Sequence, residues 1–488
     1  MMVLAAAITS CQKFEELEKD PNRPGEVPPS LIFTNVLYGM YYSPWSDEQR
    51  WNQFWCSNYA YYDDQEYDWT TTGFNYNQLK NVNQMIAEAK RVGLADNNPY
   101  AAIGKFLKAY YFIDMSMKLG DLPLTDALKS LDNTMPKYNT QKEIFKQSLI
   151  WLEEANSELQ ILNNSMDKSL TGDFMLGNDL TKWQKVVNTY KLRVLINLSK
   201  KEADTDLNIK ALFASMVNNP AKYPVMTSLD DNLKFTYNSS TDKYPLNQDN
   251  YGQTATRNNM SATYLNTLVA LKDPRTFIVA DPAPAKIKAG LTSADFDAYV
   301  GASSGESLDD MSTKMLNGEY SPISKSKYYS SYFGEPTIQI GYAEMCFNIA
   351  EAINRGWVAG NAEDYYTKGI KASWTFHGAI VDANWTAYYA QPSVKYSTTS
   401  ATALTQILTQ KYLAFFQNSG WEAYNNYRRT GVPTFLTGPG TANSGRIAKR
   451  WQYPSSERTT NADNYKAALK SQFGAETDDI NSEMWIIK

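Results

Sequence analysis

The chain has 488 residues, 43% of them hydrophobic and 20% charged, an ordinary globular composition that allows two or three domains or one large helical one. Its net charge of −5 and the lack of a long basic run argue against nucleic acid as a partner. The chain has one histidine, His377, so multi-histidine zinc sites are excluded, and any Ser-His-Asp or Cys-His arrangement would need that single imidazole.

Residues 1–11 are typical of a bacterial lipoprotein signal, in which a cysteine becomes the first residue of the mature chain and carries acyl groups. The apolar run of residues 3–8 is followed by two small residues and Cys11, the predicted lipidation site. A basic segment before this run is missing, so we expect the natural start to lie further upstream; the alternative is an apolar tail with a chance cysteine. Residues 12–30 are charged and rich in proline, which predicts a polar tether. No other stretch is long and apolar enough to predict a membrane-spanning helix.

Aromatic residues crowd the segment 45–76, with amides and carboxylates among them. Aromatic faces stack on the C–H groups of sugars and polar side chains bind their hydroxyls, so this alternation suits a glycan-binding surface. Core packing is the alternative, because four of the rings have the spacing of one inward-facing helical stripe: Trp51, Trp55, Tyr59 and Tyr62. The polar run before the next helix supplies the first group of candidate ligand residues: Asp68, Trp69, Asn75 and Tyr76.

The same segment carries four closely spaced acids: Asp63, Asp64, Glu66 and Asp68. Their oxygen-rich spacing is like that of a calcium loop, but the glycine and the terminal glutamate of an EF-hand are missing. A solvated acidic loop is therefore favoured. The sequence predicts no metal site and no cofactor; Ca²⁺ is compatible with these acids but is not indicated by them.

Helical periodicity predicts a scaffold over about 76–218 and 336–433. Apolar stripes predict helices over residues 76–92, 99–119, 141–162, 180–201, 206–217, 338–357, 361–376 and 402–416. Because short turns join consecutive helices, we expect them to pair in tetratricopeptide-like units. The predicted fold class is therefore all-α dominated, with one domain over 31–488 and an irregular C-terminal tail over 434–488 that holds one helix near 464–471.

The middle of the chain, about 221–335, is rich in Gly, Ser, Asn, Asp, Pro and Tyr, and its periodicity is weak. It is too long for a plain loop and predicts an irregular lobe that carries the ligand face, with short helices over 262–271 and 293–300. Its aromatic residues form the second group of candidate ligand residues: Tyr251, Tyr320, Tyr328 and Tyr329. The alternative is that these rings form the small core of the lobe itself.

Residues 420–433 predict a short amphipathic helix that ends abruptly. One face carries three aromatic residues: Trp421, Tyr424 and Tyr427. Arg428 and Arg429 fall in the last turn, where cations complement the helix dipole, and Glu422 could hold one of them. Gly431 suits the left-handed position after a helix, and a proline two residues later blocks continuation.

Several segments occur in the order found in one known family. They are the cysteine with its tether, 106–111, 119–124, 182–193, 273–275, 342–352 and 420–433. Each is weak alone, but together, over nearly the whole chain, they resemble the SusD/RagB family of surface lipoproteins. The arginine usual in the family's helical repeat is replaced by Asn348, at a structural position.

The resemblance implies four helix pairs plus an irregular lobe, a lipid anchor at the cell surface on the outer membrane, and a TonB-dependent SusC-like transporter as partner. It implies binding of oligosaccharide for import, without catalysis. Some members carry a stacking tryptophan at the entry of the early helix, which supports Trp69 as a ligand contact. Some members hold Ca²⁺, but nothing in this sequence fixes one.

Three other functions stay open. One is a peptide-binding uptake lipoprotein of the same type. Another is a glycoside hydrolase on a helical scaffold, which needs only two carboxylates roughly 5–10 Å apart, so the single histidine does not exclude it. The third is a helical scaffold that binds only protein.

Two cysteines remain besides Cys11: Cys56 and Cys346. They are far apart and have no metal-binding spacing, so we expect two free, buried thiols, although the sequence leaves their pairing open.

Overall fold

The computed structural model describes residues 26–59 and 64–488. The predicted lipoprotein signal with Cys11, the tether up to residue 25, and the predicted stripe and acidic residues Tyr62 and Asp63 lie outside the described residues. Within the described ranges, no helix combines the length and the apolar character needed to cross a membrane. The predicted tether is too long by two residues, because Pro29 and Ser30 already belong to a helix.

Helices account for most of the regular structure among the described residues. The α-helices are α1 (Pro29–Gly39), α2 (Asp47–Trp51), α3 (Tyr76–Arg91), α4 (Pro99–Leu119), α5 (Gln141–Asn164), α6 (Leu180–Asn197), α7 (Ile209–Asn218), α8 (Tyr251–Thr254), α9 (Ala262–Ala270), α10 (Thr276–Val279), α11 (Pro284–Lys288), α12 (Leu308–Leu316), α13 (Lys325–Tyr328), α14 (Tyr342–Asn354), α15 (Ala362–His377), α16 (Val381–Tyr389), α17 (Ser400–Ala414), α18 (Glu422–Thr430), α19 (Glu457–Thr460) and α20 (Ala462–Phe473). The strands are β1 (Trp55–Ser57), β2 (Leu233–Phe235), β3 (Asn258–Met260) and β4 (Thr337–Ile340).

The ends of the scaffold helices follow from local sequence. At the start of α4, the Asn98 side chain accepts a hydrogen bond from the Ala101 N–H at 3.1 Å, and Gly120 ends the helix with a φ of 94°. Helix α5 begins with a capping box, in which Thr140 and Glu143 satisfy each other's backbone N–H groups. Because these signals are local, the predicted bounds of α4 are those observed, and those of α5 differ by two residues at one end.

The long helices pack as sequential neighbours, α3 with α4, α5 with α6 and α14 with α15. Helix α6 also contacts α14, and α18 contacts α6, so the N-terminal and C-terminal parts of the scaffold form one body. Helix α17 packs on α14 and α15 and is linked to α18 by a hydrogen bond of 3.2 Å from Lys411 Nζ to Asn426 Oδ1. A large buried core runs through the first pairs and the lobe, and a second cluster, around Trp374, lies among α14–α17.

The predicted helix over 338–357 is wrong at its start. Residues Thr337–Ile340 form β4, which pairs antiparallel with β2, and α14 begins only at Tyr342 after Gly341. β-branched residues dominate this strand, and pairing with β2 overrides the helical spacing of its apolar residues. The predicted helix over 293–300 is likewise reduced to one 3₁₀ turn at Phe296–Ala298.

The predicted helical stripe from Trp51 to Tyr59 is also wrong. Helix α2 ends at Trp51, and Trp55 lies in β1, which pairs antiparallel with β3. The break occurs at Gln53, whose φ of 59° is left-handed and whose carbonyl accepts a hydrogen bond of 2.9 Å from the Tyr412 hydroxyl. A tertiary contact therefore breaks a periodicity that the local sequence would continue.

Helix α18 ends as predicted, with Gly431 in the left-handed region at a φ of 74°. The prediction that Glu422 holds one of the arginines is wrong: Glu422 binds Asn197 at 3.2 Å and Asn425 at 3.0 Å. Arg429 instead pairs with Glu351 of α14. Both side chains are buried, so the arginine is paired with a carboxylate from another helix of the scaffold rather than from its own helix.

The two described cysteines are free and buried, as expected. Burial raises the pKa of the Cys56 thiol to about 11 and that of the Cys346 thiol to about 12.

Candidate ligand-binding site

A cleft of about 380 Å³ opens between the N-terminal aromatic segment and the lobe. Its volume is within the range of small-molecule sites. It is lined by Trp45, Trp55, Ser57, Tyr59, Pro245, Leu246, Asn250, Gln253, Thr254, Arg257 and Asn258. We call it the aromatic cleft.

Pairing of β1 with β3 builds the aromatic cleft. The register sets Trp55 opposite Met260 and Ser57 opposite Asn258. The Asn58 N–H donates to the Arg257 carbonyl at 2.9 Å and extends this pairing by one residue. Two segments about 200 residues apart are thereby fixed as neighbouring walls of one cleft.

The aromatic rings of the cleft differ in exposure. Trp45 and Trp55 are 7% and 2% exposed, and their indole N–H groups donate to the Tyr244 hydroxyl at 2.8 Å and the Ser46 carbonyl at 3.3 Å. Tyr59 is 44% exposed, and the Arg257 guanidinium lies over its ring, 4.5 Å from the centroid. The two indoles form a fixed wall, and Tyr59 is the ring that a ligand in solution can reach.

Amides and hydroxyls supply the polar part of the lining. The Asn250 amide is held by the Pro245 carbonyl at 2.6 Å, and the Thr254 hydroxyl donates to the Tyr329 hydroxyl at 3.0 Å. Gln253 is exposed and lines the cleft. Amides offer both donors and acceptors, the pairing that sugar hydroxyls require. The described lining contains no carboxylate.

A second cleft, of about 330 Å³, lies against α4. It is lined by Gly39, Tyr41, Tyr42, Gly73, Phe74, Asn75, Tyr110, Tyr111, Asp114, Met115, Lys118 and Leu119. Lys118 Nζ donates to the Tyr42 hydroxyl at 2.8 Å and to Asp114 at 3.0 Å, and the Tyr42 hydroxyl also binds Asp114. Burial and the Asp114 carboxylate raise the pKa of Tyr42 well above its usual range. We call this the α4 cleft.

The structure places the four residues of the first candidate group in different environments. Trp69 is 6% exposed and stacks on Trp451 with ring centroids 3.9 Å apart, so its faces are covered by packing. Asn75 is half-buried and lines the α4 cleft. Tyr76 is half-buried and donates to the Pro123 carbonyl at 2.5 Å. Asp68 is exposed and lines neither cleft.

The second group lies mostly in the interior of the lobe. Tyr328 is fully buried, and Tyr320, 9% exposed, sits in a small core with its hydroxyl on Glu306. Tyr329 is 3% exposed and packs edge-on against Tyr251 at 5.0 Å. Tyr251 is half-buried at the start of α8, next to the aromatic cleft. In this conformation only Tyr251 of the four offers part of its ring to solvent beside a cleft.

Sequence reasoning missed most of the polar lining of the aromatic cleft. Asn250, Gln253, Arg257 and Asn258 come from an unremarkable polar stretch and reach the site only through the pairing of β3 with β1. The sequence predicts Tyr59 only as part of a helical stripe.

The described residues contain no group of three or more His, Cys, Asp or Glu side chains arranged to hold a metal ion. Of the four acids weighed as a calcium loop, Asp63 lies outside the described residues. Burial, together with Asp64 and Asp68, raises the pKa of Glu66. His377 is fully buried, with Nδ1 3.3 Å from Glu335.

Comparison with known proteins gives one consistent result. Residues 21–454 match the SusD-like family described as starch-binding and associating with the outer membrane. A solved SusD homologue from Bacteroides fragilis is 33% identical in sequence, and its TM-score is 0.85 over 95% of this chain and 100% of that chain. A second SusD homologue from the same species is 30% identical, and its TM-score is 0.82 over 95% of this chain and 100% of that chain. A chitin-binding SusD homologue from Flavobacterium johnsoniae, 20% identical with a TM-score of 0.72 over 94% of this chain and 95% of that one, shows the fold alone. No curated protein matches the chain.

Proposed function

The chain belongs to the SusD-like family, and we propose that it binds an oligosaccharide at the outer membrane, in the aromatic cleft, and does not cleave it. The all-α scaffold with tetratricopeptide-like pairs, predicted from the sequence, is the fold of the solved relatives. The observation that carries the proposal is the composition of the aromatic cleft: an exposed tyrosine, two fixed indoles and a set of amides on this scaffold.

The chemistry of the cleft supports a sugar ligand. The Tyr59 ring can stack on the C–H face of a pyranose, while the amides of Asn250, Gln253 and Asn258 bind its hydroxyls. Trp45 and Trp55 are already hydrogen-bonded through their indole nitrogens, so they form the fixed, buried wall of the cleft without an unsatisfied donor.

Binding without cleavage is supported by the charges of the cleft. Hydrolysis of a glycosidic bond commonly uses two carboxylates on either side of the bond. No Asp or Glu occurs in the described lining of the aromatic cleft. The described lining of the α4 cleft contains one carboxylate, that of Asp114, which is bound to Lys118 and Tyr42.

We further propose a lipid anchor at Cys11 and import through a TonB-dependent SusC-like transporter. The apolar run before Cys11 supports the anchor, and the charged, proline-rich residues that follow it are the predicted tether. Such a tether would keep the folded protein at the membrane surface, where a captured oligosaccharide can be passed to a transporter.

The experiment that tests the function is a binding screen of the purified protein against an array of oligosaccharides and peptides, followed by product analysis of every ligand that binds. We expect one glycan class to bind and to be recovered intact. Recovery of shorter products would support the hydrolase. Binding of peptides without binding of any glycan would support peptide uptake. Binding of neither glycans nor peptides, with capture of a partner protein, would support a protein-binding scaffold.

A further inference from the structure

The α4 cleft contains a lysine and a carboxylate side by side. Asp114 and Lys118 lie one turn apart on α4, with Lys118 Nζ 3.0 Å from Asp114 Oδ2, and their side chains are 18% and 20% exposed. The Tyr42 hydroxyl joins them: it accepts a hydrogen bond from Lys118 at 2.8 Å and donates one to Asp114. The three side chains are therefore held in one arrangement before any ligand binds.

This group of three side chains has further hydrogen-bonding capacity. An ammonium group has three donors, and within the described ranges Lys118 uses two of them, on Tyr42 and Asp114. A carboxylate can accept about four hydrogen bonds, and Asp114 accepts two. Both side chains also border an interior cavity of about 30 Å³, which has room for water but not for a sugar. The α4 cleft, of about 330 Å³, is the side from which a sugar can reach the pair.

Asn75 supplies an amide to the same cleft. It lies directly before the first turn of α3, where an asparagine side chain commonly accepts a hydrogen bond from the helix, but among the described residues its side chain makes no such bond. Asn98, at the same position of α4, does cap its helix. The Asn75 N–H donates to the Met115 sulfur at 3.0 Å, which ties the residue to α4. The amide is therefore held in the lining of the cleft without a capping role.

The cleft also offers aromatic surface. Tyr41 and Phe74 are half-buried, whereas Tyr110 and Tyr111 are buried. A partly exposed ring can contact the C–H face of a sugar.

Neighbouring hydroxyl groups of a sugar match the ion pair. One hydroxyl can accept a hydrogen bond from Lys118 while the next donates to Asp114, and both bonds are charge-assisted and therefore strong. A peptide backbone has no such pair of neighbouring hydroxyls. The combination of an ion pair, an amide and partly exposed rings therefore favours a sugar in this cleft.

We propose that the α4 cleft is a second carbohydrate-binding site, in which Lys118 and Asp114 bind two neighbouring hydroxyls of one sugar. Asn75 binds a further hydroxyl, and the sugar ring packs against Tyr41 or Phe74. The inference goes beyond the proposed function, with which it shares only the class of ligand. The described linings of the two clefts have no residue in common, so each site can be tested separately.

The test is isothermal titration of the purified protein with maltotriose, cellotriose, xylotriose, mannotriose and galactotriose, and with the trisaccharide of any other glycan class that binds in the screen. Short chains are used so that separate molecules fill the two clefts. We expect at least one trisaccharide to bind at two sites per protein. Tyr59→Ala should weaken the site in the aromatic cleft and leave the other site unchanged.

Variants of the α4 cleft should weaken the other site. Asn75→Ala should weaken it about fivefold, because it removes one hydrogen bond, and Lys118→Met at least about tenfold, because it removes a charge-assisted one. Neither should change the site that Tyr59→Ala weakens. Asn77→Ala, at an exposed residue of α3 outside the described linings of both clefts, is the matched control for Asn75→Ala and should change nothing.

Thermal unfolding of each variant separates loss of binding from loss of fold. Asn75→Ala removes no capping hydrogen bond among the described residues, so it tests the site even if Lys118→Met does not fold.

Three outcomes would overturn the inference and leave the proposed function standing. They are a single site that Tyr59→Ala weakens, a second site that neither Asn75→Ala nor Lys118→Met affects, and failure of every trisaccharide when longer glycans bind in the screen. A single site that Asn75→Ala and Lys118→Met weaken, and Tyr59→Ala does not, would support the inference and contradict the aromatic cleft as the binding site. Failure of every glycan, short or long, would overturn both.

Discussion

The Glu351 carboxylate of α14 binds the Arg429 guanidinium of α18 in the interior of the scaffold, with Glu351 fully buried and Arg429 6% exposed. The second of its two hydrogen bonds, from Arg429 Nη2 to Glu351 Oε2, is 2.9 Å long. Glu351 also accepts from Arg355 Nε at 2.8 Å, and Arg355 directly follows the end of α14. The pair joins two segments 78 residues apart and fixes α18, the helix with the arginine pair, against the rest of the scaffold.

Glu351→Gln should lower the free energy of unfolding by about 3–5 kcal/mol, because it leaves the Arg429 charge buried without its carboxylate. Chemical denaturation followed by circular dichroism measures the change. Glu483→Gln is the matched control: it breaks the exposed pair of Glu483 with Lys449, and should cost no more than about 1 kcal/mol. Equal losses of unfolding free energy in the two variants would show that the buried pair stabilises the fold no more than the exposed pair does.

The same carboxylate predicts a pH dependence. Burial alone would raise the pKa of Glu351, but Arg429, Lys411 and Arg355 outweigh it and lower the pKa to about 2. A group whose pKa is depressed by folding contributes stability above its unfolded pKa and loses it as the pH falls. The difference in unfolding free energy between wild type and Glu351→Gln should therefore shrink by up to about 3 kcal/mol between pH 4.5 and pH 2. A difference that stays constant over this window would contradict the assignment.

The residues that identify the family from sequence are scaffold residues. Arg193, in the segment 182–193, donates from Nε to Glu344 of α14 at 2.7 Å, and Arg275 binds Asp273 in its own segment at 2.8 Å. All four side chains are buried. Buried ion pairs tolerate few substitutions, because losing one partner is costly, so such residues keep a readable pattern in the sequence. This is why fold and family could be predicted.

The site could not be predicted in the same way. Its lining comes from two distant segments of the chain, 45–59 and 245–258, which the pairing of β1 with β3 holds together. Arg257 and Asn258 carry no local signal of that pairing. Trp69, the favoured candidate, has the residue type and the polar neighbours of a ligand contact, yet its ring is stacked on Trp451. Whether an aromatic side chain faces solvent or core depends on tertiary packing, which the sequence of one segment does not contain.

Trp69→Ala should lower the free energy of unfolding by about 3–5 kcal/mol, because it removes a large buried side chain and leaves a cavity against Trp451. Leu131→Ala, at a side chain that is 91% exposed, is the control and should change stability by less than about 0.5 kcal/mol. Unchanged stability of Trp69→Ala with loss of glycan binding would instead make Trp69 the ligand contact predicted from the sequence.

Both described cysteines should be inert in the folded protein. Burial raises the pKa of Cys56 to about 11 and that of Cys346 to about 12, so neither forms the reactive thiolate at neutral pH. In a Cys11→Ser background, Ellman's reagent should label the native protein only slowly, and both thiols together after unfolding in guanidinium. Rapid labelling of one thiol in the native protein would show that its segment opens locally.

Tyr59→Ala should weaken oligosaccharide binding about tenfold, because it removes the exposed stacking ring of the aromatic cleft. Tyr38→Ala is a closely matched control, since Tyr38 is 42% exposed, against 44% for Tyr59, and does not line the cleft. Titration of both variants with the oligosaccharide found in the screen measures the effect. An equal loss in the two variants would place the contact outside the cleft.

The most direct test of the account is a crystal structure of the protein with its oligosaccharide. We expect an intact chain in the aromatic cleft, with one sugar ring stacked on Tyr59 and its hydroxyls bound by Asn250, Gln253 or Asn258. An oligosaccharide bound elsewhere with the aromatic cleft empty, or a cleaved one within it, would contradict the account.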